Sequence, residues 1–312
     1  RLINVEQDAI AVIPATSYGM AVAAANLDLG ADRNIVVVED QFPSNYYIWV
    51  EKAAAAGAVM NVVPRPDNGD WTPGVLAAIG PDTAIVTLPP CHWMDGSLLD
   101  LEKIGVRCRE VGAAYVIDGT QAIGAQPMDI AKIQPDFLAC SAYKWLLSPY
   151  TLAFLYAAPH RRAGRPLELH SGNHDPGQLQ GTYSTALRPN AARYDMGERT
   201  NLTLLPMACV AMEQLLDWGI DGIEAYLGSL TDRIADEAGR RGYSHPPREH
   251  RARHFIGLTP PGGVPEGLVD KLAAENVYVA PRGPCIRVSP HMHNDFEDIE
   301  RLFDALDRHL PA

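Results

Sequence analysis

The apolar run "ACSAYKWLLSP", residues 139–149, contains one of only five lysines in the chain. The other four, Lys52, Lys103, Lys132 and Lys271, lie in polar, helix-patterned stretches where a solvated ammonium is expected. Lys144 does not. Desolvation favours the neutral amine of a lysine and makes it a nucleophile toward carbonyl carbon. Asp118 raises a matching problem of charge, since it ends the apolar run "AAYVID" and a carboxylate there is costly to bury unless a cation meets it. The pair forms either a direct Asp118–Lys144 salt bridge or the two ends of a seat for one bound group.

Other polar residues follow apolar runs in the same way. "ATSYG", residues 15–19, opens a helix, so Thr16 and Ser17 either cap it or help its free N–H groups seat an anion such as a phosphate. Gln121 lies three residues beyond Asp118, and Ser141 and Tyr143 lead into Lys144. Pyridoxal 5'-phosphate (PLP) accounts for all of them together. Lys144 would form a Schiff base with its aldehyde, and Asp118 would keep the ring nitrogen protonated so that the ring acts as an electron sink. Gln121 would reach the phenolic oxygen, while Thr16, Ser17, Ser141 and Tyr143 would hold the phosphate.

The elements carrying these residues alternate between apolar, β-rich runs and helical patterns, from "AIAVIP" through "NIVVVED", "VMNVVP", "TAIVTLPP", "AAYVIDG" and "FLACSAY" to "LAFLYA". Continuous hydrophobicity in the strands predicts an α/β fold, with a mainly parallel sheet sandwiched by helices. Ligands of such sheets gather beyond the carboxyl ends of the strands, where the residues above stand. Between about His160 and Met196 the pattern gives way to Gly, Pro, Asn and charged residues. Two amphipathic helices and a smaller α+β region follow, which predicts a large PLP-binding domain over 1–205 and a small C-terminal α+β domain over 206–312. In "NDFE" Asn294 is expected to cap the closing helix, with Glu297 reaching back.

Composition narrows the partners. A formal charge of -12 over 312 residues leaves no basic stripe for a polyanion, so nucleic acid is not expected. No run approaches the roughly 18 apolar residues of a membrane span and no leader pattern opens the chain, which predicts a cytoplasmic protein with no membrane partner. Five scattered cysteines without a CxxC pair predict reduced thiols rather than disulfides or a zinc site. His170 and His174 have i, i+4 spacing in "HSGNHD", but that stretch reads as loop and no metal is expected.

The segments "VIDGTQAIGAQPMDI" and "PDFLACSAYKWLLSPYTLAFLYA", with "EDQFPSN" upstream and "IRVSPHMHNDFEDIERL" downstream, resemble the class V aminotransferase family of PLP enzymes from about residue 9 onward. That family includes cysteine desulfurases, selenocysteine lyases, kynureninases and isopenicillin N epimerase-like proteins. The resemblance implies the PLP-dependent transferase fold type I and the roles given above for Lys144, Asp118, Gln121, Thr16, Ser17, Ser141 and Tyr143. It further implies that Phe42 stacks on the cofactor ring, Arg287 grips the substrate α-carboxylate, and Trp93 of "CHWMDG" lines the substrate pocket. His92, beside it, is either an acid/base or a packed histidine. "YDMGERTN" resembles the segment that crosses to the partner subunit in the family's homodimers, which puts Arg199, Thr200 and Asn201 at an interface active site and Asn201 among the substrate contacts. The family's N-terminal segment is expected to be absent, because the chain opens on Arg1 and reaches its first strand almost at once.

The implied reaction acts on a small amino acid, aminotransferase-like first, with C–S or C–Se cleavage or epimerisation as alternatives. A non-catalytic binding or regulatory protein that kept the fold is the alternative from another class. One departure bears on that choice. The family's desulfurases carry a catalytic cysteine on a long loop between two arginines, whereas only "GPCI" separates Arg282 from Arg287 here, so no persulfide relay through Cys285 is expected.

Overall fold

The computed structural model describes residues 1–177, 179–180 and 183–310. Its central feature is a seven-stranded sheet in the order β1-β7-β6-β5-β4-β2-β3. The strands are β1 (Ile10–Ile13), β2 (Asn34–Val38), β3 (Val59–Val63), β4 (Thr83–Leu88), β5 (Ala114–Asp118), β6 (Phe137–Ser141) and β7 (Ala153–Ala157). Every residue of β5 and β6 is buried, as the unbroken apolar runs require of central strands covered on both faces. The pairs β3/β2, β2/β4, β4/β5 and β5/β6 are parallel. By contrast, β7 is antiparallel to both β6 and β1. The connection over residues 142–152 is too short to hold a crossover helix, which takes about a dozen residues or more, so the chain must turn straight back. Because β7 alone is reversed, the carboxyl ends of β1, β5 and β6 share one edge of the sheet.

The helices of this region are α1 (Thr16–Asn26), α2 (Tyr47–Ala56), α3 (Trp71–Ala78), α4 (Leu101–Val111) and the short α5 (Ile130–Ile133). Helix α1 lies against β6 so closely that a Cβ on Gly19 would stand 2.6 Å from Ala139 Cβ. The stretch after β7 forms short 3-10 turns and a two-stranded ladder of β8 (Leu179–Gln180) and β9 (Tyr183–Ser184), before α6 (Leu204–Trp218). It also covers the open edge of β1. Val12 N donates to Asp195 Oδ1 (2.7 Å) and Met196 N donates to Val12 O (2.9 Å).

Two compact units emerge from the packing. The first comprises Arg1–Arg65, Thr72–Pro90 and Asp100–Asp217, and the second comprises Pro66–Trp71, Cys91–Leu99 and Trp218–Ala312. The second unit contains α7 (Ile220–Arg240), α8 (Leu268–Ala274), α9 (Phe296–His309) and an antiparallel sheet ordered β10-β12-β11. Its strands are β10 (Ile256–Leu258), β11 (Ala280–Arg282) and β12 (Cys285–Val288). The Cys91–Leu99 segment is fastened within this unit by Gly257 N to Asp95 O (2.9 Å) and Ala252 N to Gly96 O (2.7 Å).

The cap of α9 lies one residue later than the sequence suggests. Asp295 accepts from Glu297 N and Asp298 N, and Asp298 accepts in return from Asp295 N. The side-chain oxygen of Asn294 is taken by His291 N (2.9 Å), which removes it as a cap.

Candidate active site

At the carboxyl edge of the first unit, three hydroxyls meet. The chain leaves β5 at Asp118 into a 3-10 turn, Gly119–Gln121, in which Thr120 N donates to Asp118 Oδ1 (3.1 Å). Thr120 Oγ1 lies 2.8 Å from Thr16 Oγ1 and accepts from Ser141 N at 3.1 Å. Thr16 Oγ1 also lies 2.8 Å from Ser141 Oγ, which accepts from Thr16 N (3.3 Å). These three hydroxyls carry one proton each but share only two hydroxyl–hydroxyl bonds, so one proton remains for an outside acceptor.

The cluster stands at the amino end of α1. The N-cap residue there is Ala15, which has no capping side chain, so neither Thr16 nor Ser17 is an N-cap. Thr16 is spent on the hydroxyl cluster, and Ser17 is exposed in the first turn, beside the positive end of the helix dipole. A spare hydroxyl proton beside that dipole fits a phosphate.

Lys144 rises from the β6–β7 turn. Ala142 N donates to Leu152 O (2.9 Å), Ser148 N to Ala142 O (3.0 Å) and Leu147 N to Lys144 O (3.0 Å). Leu147 (φ 53°) and the β-branched Thr151 (φ 63°) take left-handed conformations in this turn, which is strain held in place by its surroundings. Gly124, at φ 103°, lies against the same turn, and a Cβ there would stand 2.1 Å from Trp145 O. The Lys144 Nζ is 5.2 Å from the Phe42 ring centroid and 5.7 Å from that of Tyr143, whose ring stacks on Tyr150 (4.1 Å, 15°). Phe42 is placed by the adjoining 3-10 turn, Pro43–Asn45, in which buried Asn45 Oδ1 accepts from Thr87 Oγ1 (2.6 Å) and Trp49 Nε1 (3.1 Å).

Electrostatics favour a cationic guest at Asp118. Burial pushes its carboxyl pKa up, and the hydrogen bonds from Thr120 and the charge of Lys144 only partly offset this. A buried carboxylate left short of positive charge, with Gln121 buried on the same turn, fits the protonated nitrogen of a pyridine ring. A wide cleft of about 1130 Å³ opens at the opposite edge of the sheet, around Asp136, His160 and Arg161. None of the strand-tip residues lines it. Asp136 is held there by Tyr115 N (2.7 Å), Arg161 (2.6 Å) and His160 (2.8 Å), a structural arrangement.

The second unit gathers another group. Arg287, on β12, donates from Nη1 to Trp93 O (2.7 Å), and its guanidinium lies 5.6 Å from the Phe255 ring centroid. Its Nε is buried without a hydrogen-bond partner, and among the described residues no carboxylate pairs with it. Burial, then the charge of Arg282, holds its pKa below the usual arginine value. His92 is completely buried and stacks flat on Trp71 (5.3 Å, 14°), the surroundings of a packing ring. Cys285 is buried too, its Sγ 3.2 Å from Arg282 O.

The remaining candidates lie in the first unit with local partners. Asn201 Oδ1 accepts from Thr203 N (3.0 Å) and Leu204 N (2.8 Å), capping α6. Arg199 pairs with Asp195 (2.5 Å), and Thr200 is exposed. His170 Nδ1 accepts from Gly172 N, while His170 Nε2 meets Asp195 O (3.0 Å) and His174 Nδ1 meets His170 O (2.8 Å).

The family model for Aminotransferase class-V matches residues 1–302. This chain belongs to the class V aminotransferase family. The family protein is accordingly a PLP-dependent enzyme. It is 28% identical to isopenicillin N epimerase of Streptomyces clavuligerus, over 98% of this chain and 81% of that one. Its fold is that of the cysteine desulfurase of Thermococcus onnurineus, with a TM-score of 0.88 at 18% identity, covering 99% of this chain and 81% of that structure. A C-DES mutant with glycine covalently linked to its PLP cofactor has a TM-score of 0.85 at 19% identity, covering 98% and 82%. At such identities the structural likeness establishes the fold alone. Among the described residues, no helix of this class V protein is long and apolar enough to cross a membrane.

Sequence reasoning passed over Thr120, the residue that joins Asp118 to the hydroxyl cluster. A signal was present in "DGTQ": an Asp two residues before a threonine readily accepts from its backbone N–H, which turns that hydroxyl toward the strand ends.

Proposed function

We propose that this enzyme moves the amino group of a small amino acid, with Lys144 as the amine that carries the cofactor and shuttles the substrate proton. The observation that supports this reading is the Lys144 amine beside the Phe42 ring, next to a buried Asp118 tied through Thr120 to Thr16 and Ser141. When bound, PLP supplies an aldehyde carbon that links to an amine and a ring that draws electrons from a bond at Cα.

The chain's own residues do the rest. Thr16, Thr120 and Ser141, with Ser17 and Tyr143, would hold the phosphate, and Gln121 would hold the phenolic oxygen. Asp118 would hold the proton on the ring nitrogen, and Phe42 would cover the ring face and exclude water. Arg287 grips the substrate carboxylate with its planar fork, and Trp93 lines the pocket beside it. Lys144, once released from the cofactor by the substrate amine, would take the proton from Cα and hold it at Nζ. One amine serves one face of Cα, which suits removal of the Cα proton better than its return to the opposite face. His92, stacked on Trp71, is assigned to packing and Asn201 to the α6 cap, with no proton transfer at either.

Epimerisation is the second reading, supported by the epimerase likeness over nearly the whole chain. Sulfur transfer draws no support from Cys285, whose buried thiol sits in a tight hairpin. Cysteines scattered along the chain without a CxxC pair support a reducing, cytoplasmic setting, and exposed Leu202, Met207 and Val210 at and near α6 support a homodimer.

Incubating the PLP-loaded enzyme with L-amino acids in deuterated water separates the reactions. Keto acid with amine transferred to an acceptor supports the first reading. Deuterated D-amino acid without keto acid would replace it with the second, and no exchange at Cα with any substrate would remove both.

A further inference from the structure

Arg282 and Arg287 form a pair of like charges that the described residues leave without a counterion. In the register of the small sheet, Arg282 faces Cys285 and Arg287 faces Ala280. Directly opposed residues share a face and alternate residues return to it, so Arg282 and Arg287 project from the same face as diagonal neighbours. Both engage Trp93, Arg287 through the carbonyl oxygen and Arg282 by lying over the ring at 5.5 Å. Both have a buried Nε with no hydrogen-bond partner. The donor contacts they make are to carbonyls alone, Arg282 Nη1 to Pro281 O and Arg287 Nη1 to Trp93 O, each at 2.7 Å. Asp95, from the same segment as Trp93, turns its Oδ1 to Ser97 N (3.0 Å) and Ser97 Oγ (2.7 Å) instead.

Two neighbouring guanidiniums, each with an unspent buried donor, repel one another and are stabilised by anionic oxygens placed between or against them. A single α-carboxylate satisfies one planar fork. We infer that the substrate carries a second compact oxyanion, a carboxylate or sulfinate on its side chain, and that Arg282 binds it while Arg287 binds the α-carboxylate. This rests on the functional reading above for the role of Arg287, and it names the substrate class as amino dicarboxylates and their sulfinate analogues. Trp93 holds the two forks apart and fixes their spacing, which sets the length of side chain accepted.

Calorimetric titration of the full-length, PLP-loaded protein with glutarate and with butyrate tests this directly. Wild type binds glutarate at least about tenfold more tightly than butyrate, a difference of one charge-assisted contact. Arg282→Gln abolishes that preference by weakening glutarate alone, Arg282→Lys restores part of it, and Arg287→Lys weakens both ligands. Equal affinities in wild type, or a parallel loss of both in Arg282→Gln with no recovery in Arg282→Lys, would overturn the assignment. Its failure is separable from that of the functional reading. Turnover of monocarboxylic amino acids without a glutarate preference removes only the second anion site, whereas failure to take up PLP removes the functional reading while the glutarate comparison still reports on the arginines.

Discussion

Asp118 is less stable ionised in the folded protein than in the unfolded chain, because its burial outweighs the bonds from Thr120 and the charge of Lys144. A carboxyl with a raised folded pKa contributes stability below its unfolded pKa and loses it as pH rises through the folded value. In cofactor-free protein, Asp118→Asn is therefore expected to raise the melting temperature by a few degrees at neutral pH, with the gain shrinking to nothing as pH falls below the ordinary aspartate range. Melting curves of both forms across pH check this, and a gain that grows toward acid would contradict it. With PLP the order is expected to reverse, since the same substitution removes the proposed partner of the ring nitrogen and should lower turnover by at least about a hundredfold. Thr120→Val keeps the shape of the side chain but removes the hydroxyl linking Thr16 to the Asp118 turn. PLP affinity should fall about tenfold, the value of one such hydrogen bond, as read by fluorescence titration.

At the scale of the elements, two glycines fix where the chemistry stands. Gly124→Ala places a methyl against Trp145 O and forces a positive φ on a residue that resists it, so we expect a loss of about 2 kcal/mol or more in urea unfolding and a displaced Lys144 turn. Gly19→Val drives α1 from β6 and should cost about 1–3 kcal/mol, with weaker PLP binding because Thr16 moves with the helix. All seven strands of the large sheet were legible as apolar, β-rich runs, and so was the shared edge bearing Thr16, Asp118 and Lys144. The reversal of β7 was legible in principle, from the short 142–152 connection, but hydrophobicity carries no strand direction. Thr120 was not, because its role depends on β5 and β6 lying side by side, and neither was the α9 cap, which was decided by the His291–Asn294 turn. His92 suits both catalysis and packing as read from the sequence, and its stacking on Trp71 is a contact with no trace in local sequence.

For the whole molecule, a net charge of -12 makes the uncompensated charges of Arg282 and Arg287 the place where an anionic substrate would be attracted against the field of the rest. In the homodimer proposed above, the apolar surface of Met207 and Val210 on α6 is the part to be buried, so Val210→Asp is expected to shift sedimentation toward the monomer, and an unchanged coefficient would contradict that interface. The proposed chemistry requires a covalent link between one lysine and PLP. Borohydride reduction of the PLP-loaded protein, followed by peptide mapping with mass spectrometry, is the direct measurement. A single phosphopyridoxyl group on Lys144, absent from Lys144→Ala, is the predicted result, while a label on another lysine, or none in a protein that retains its fold, would contradict it.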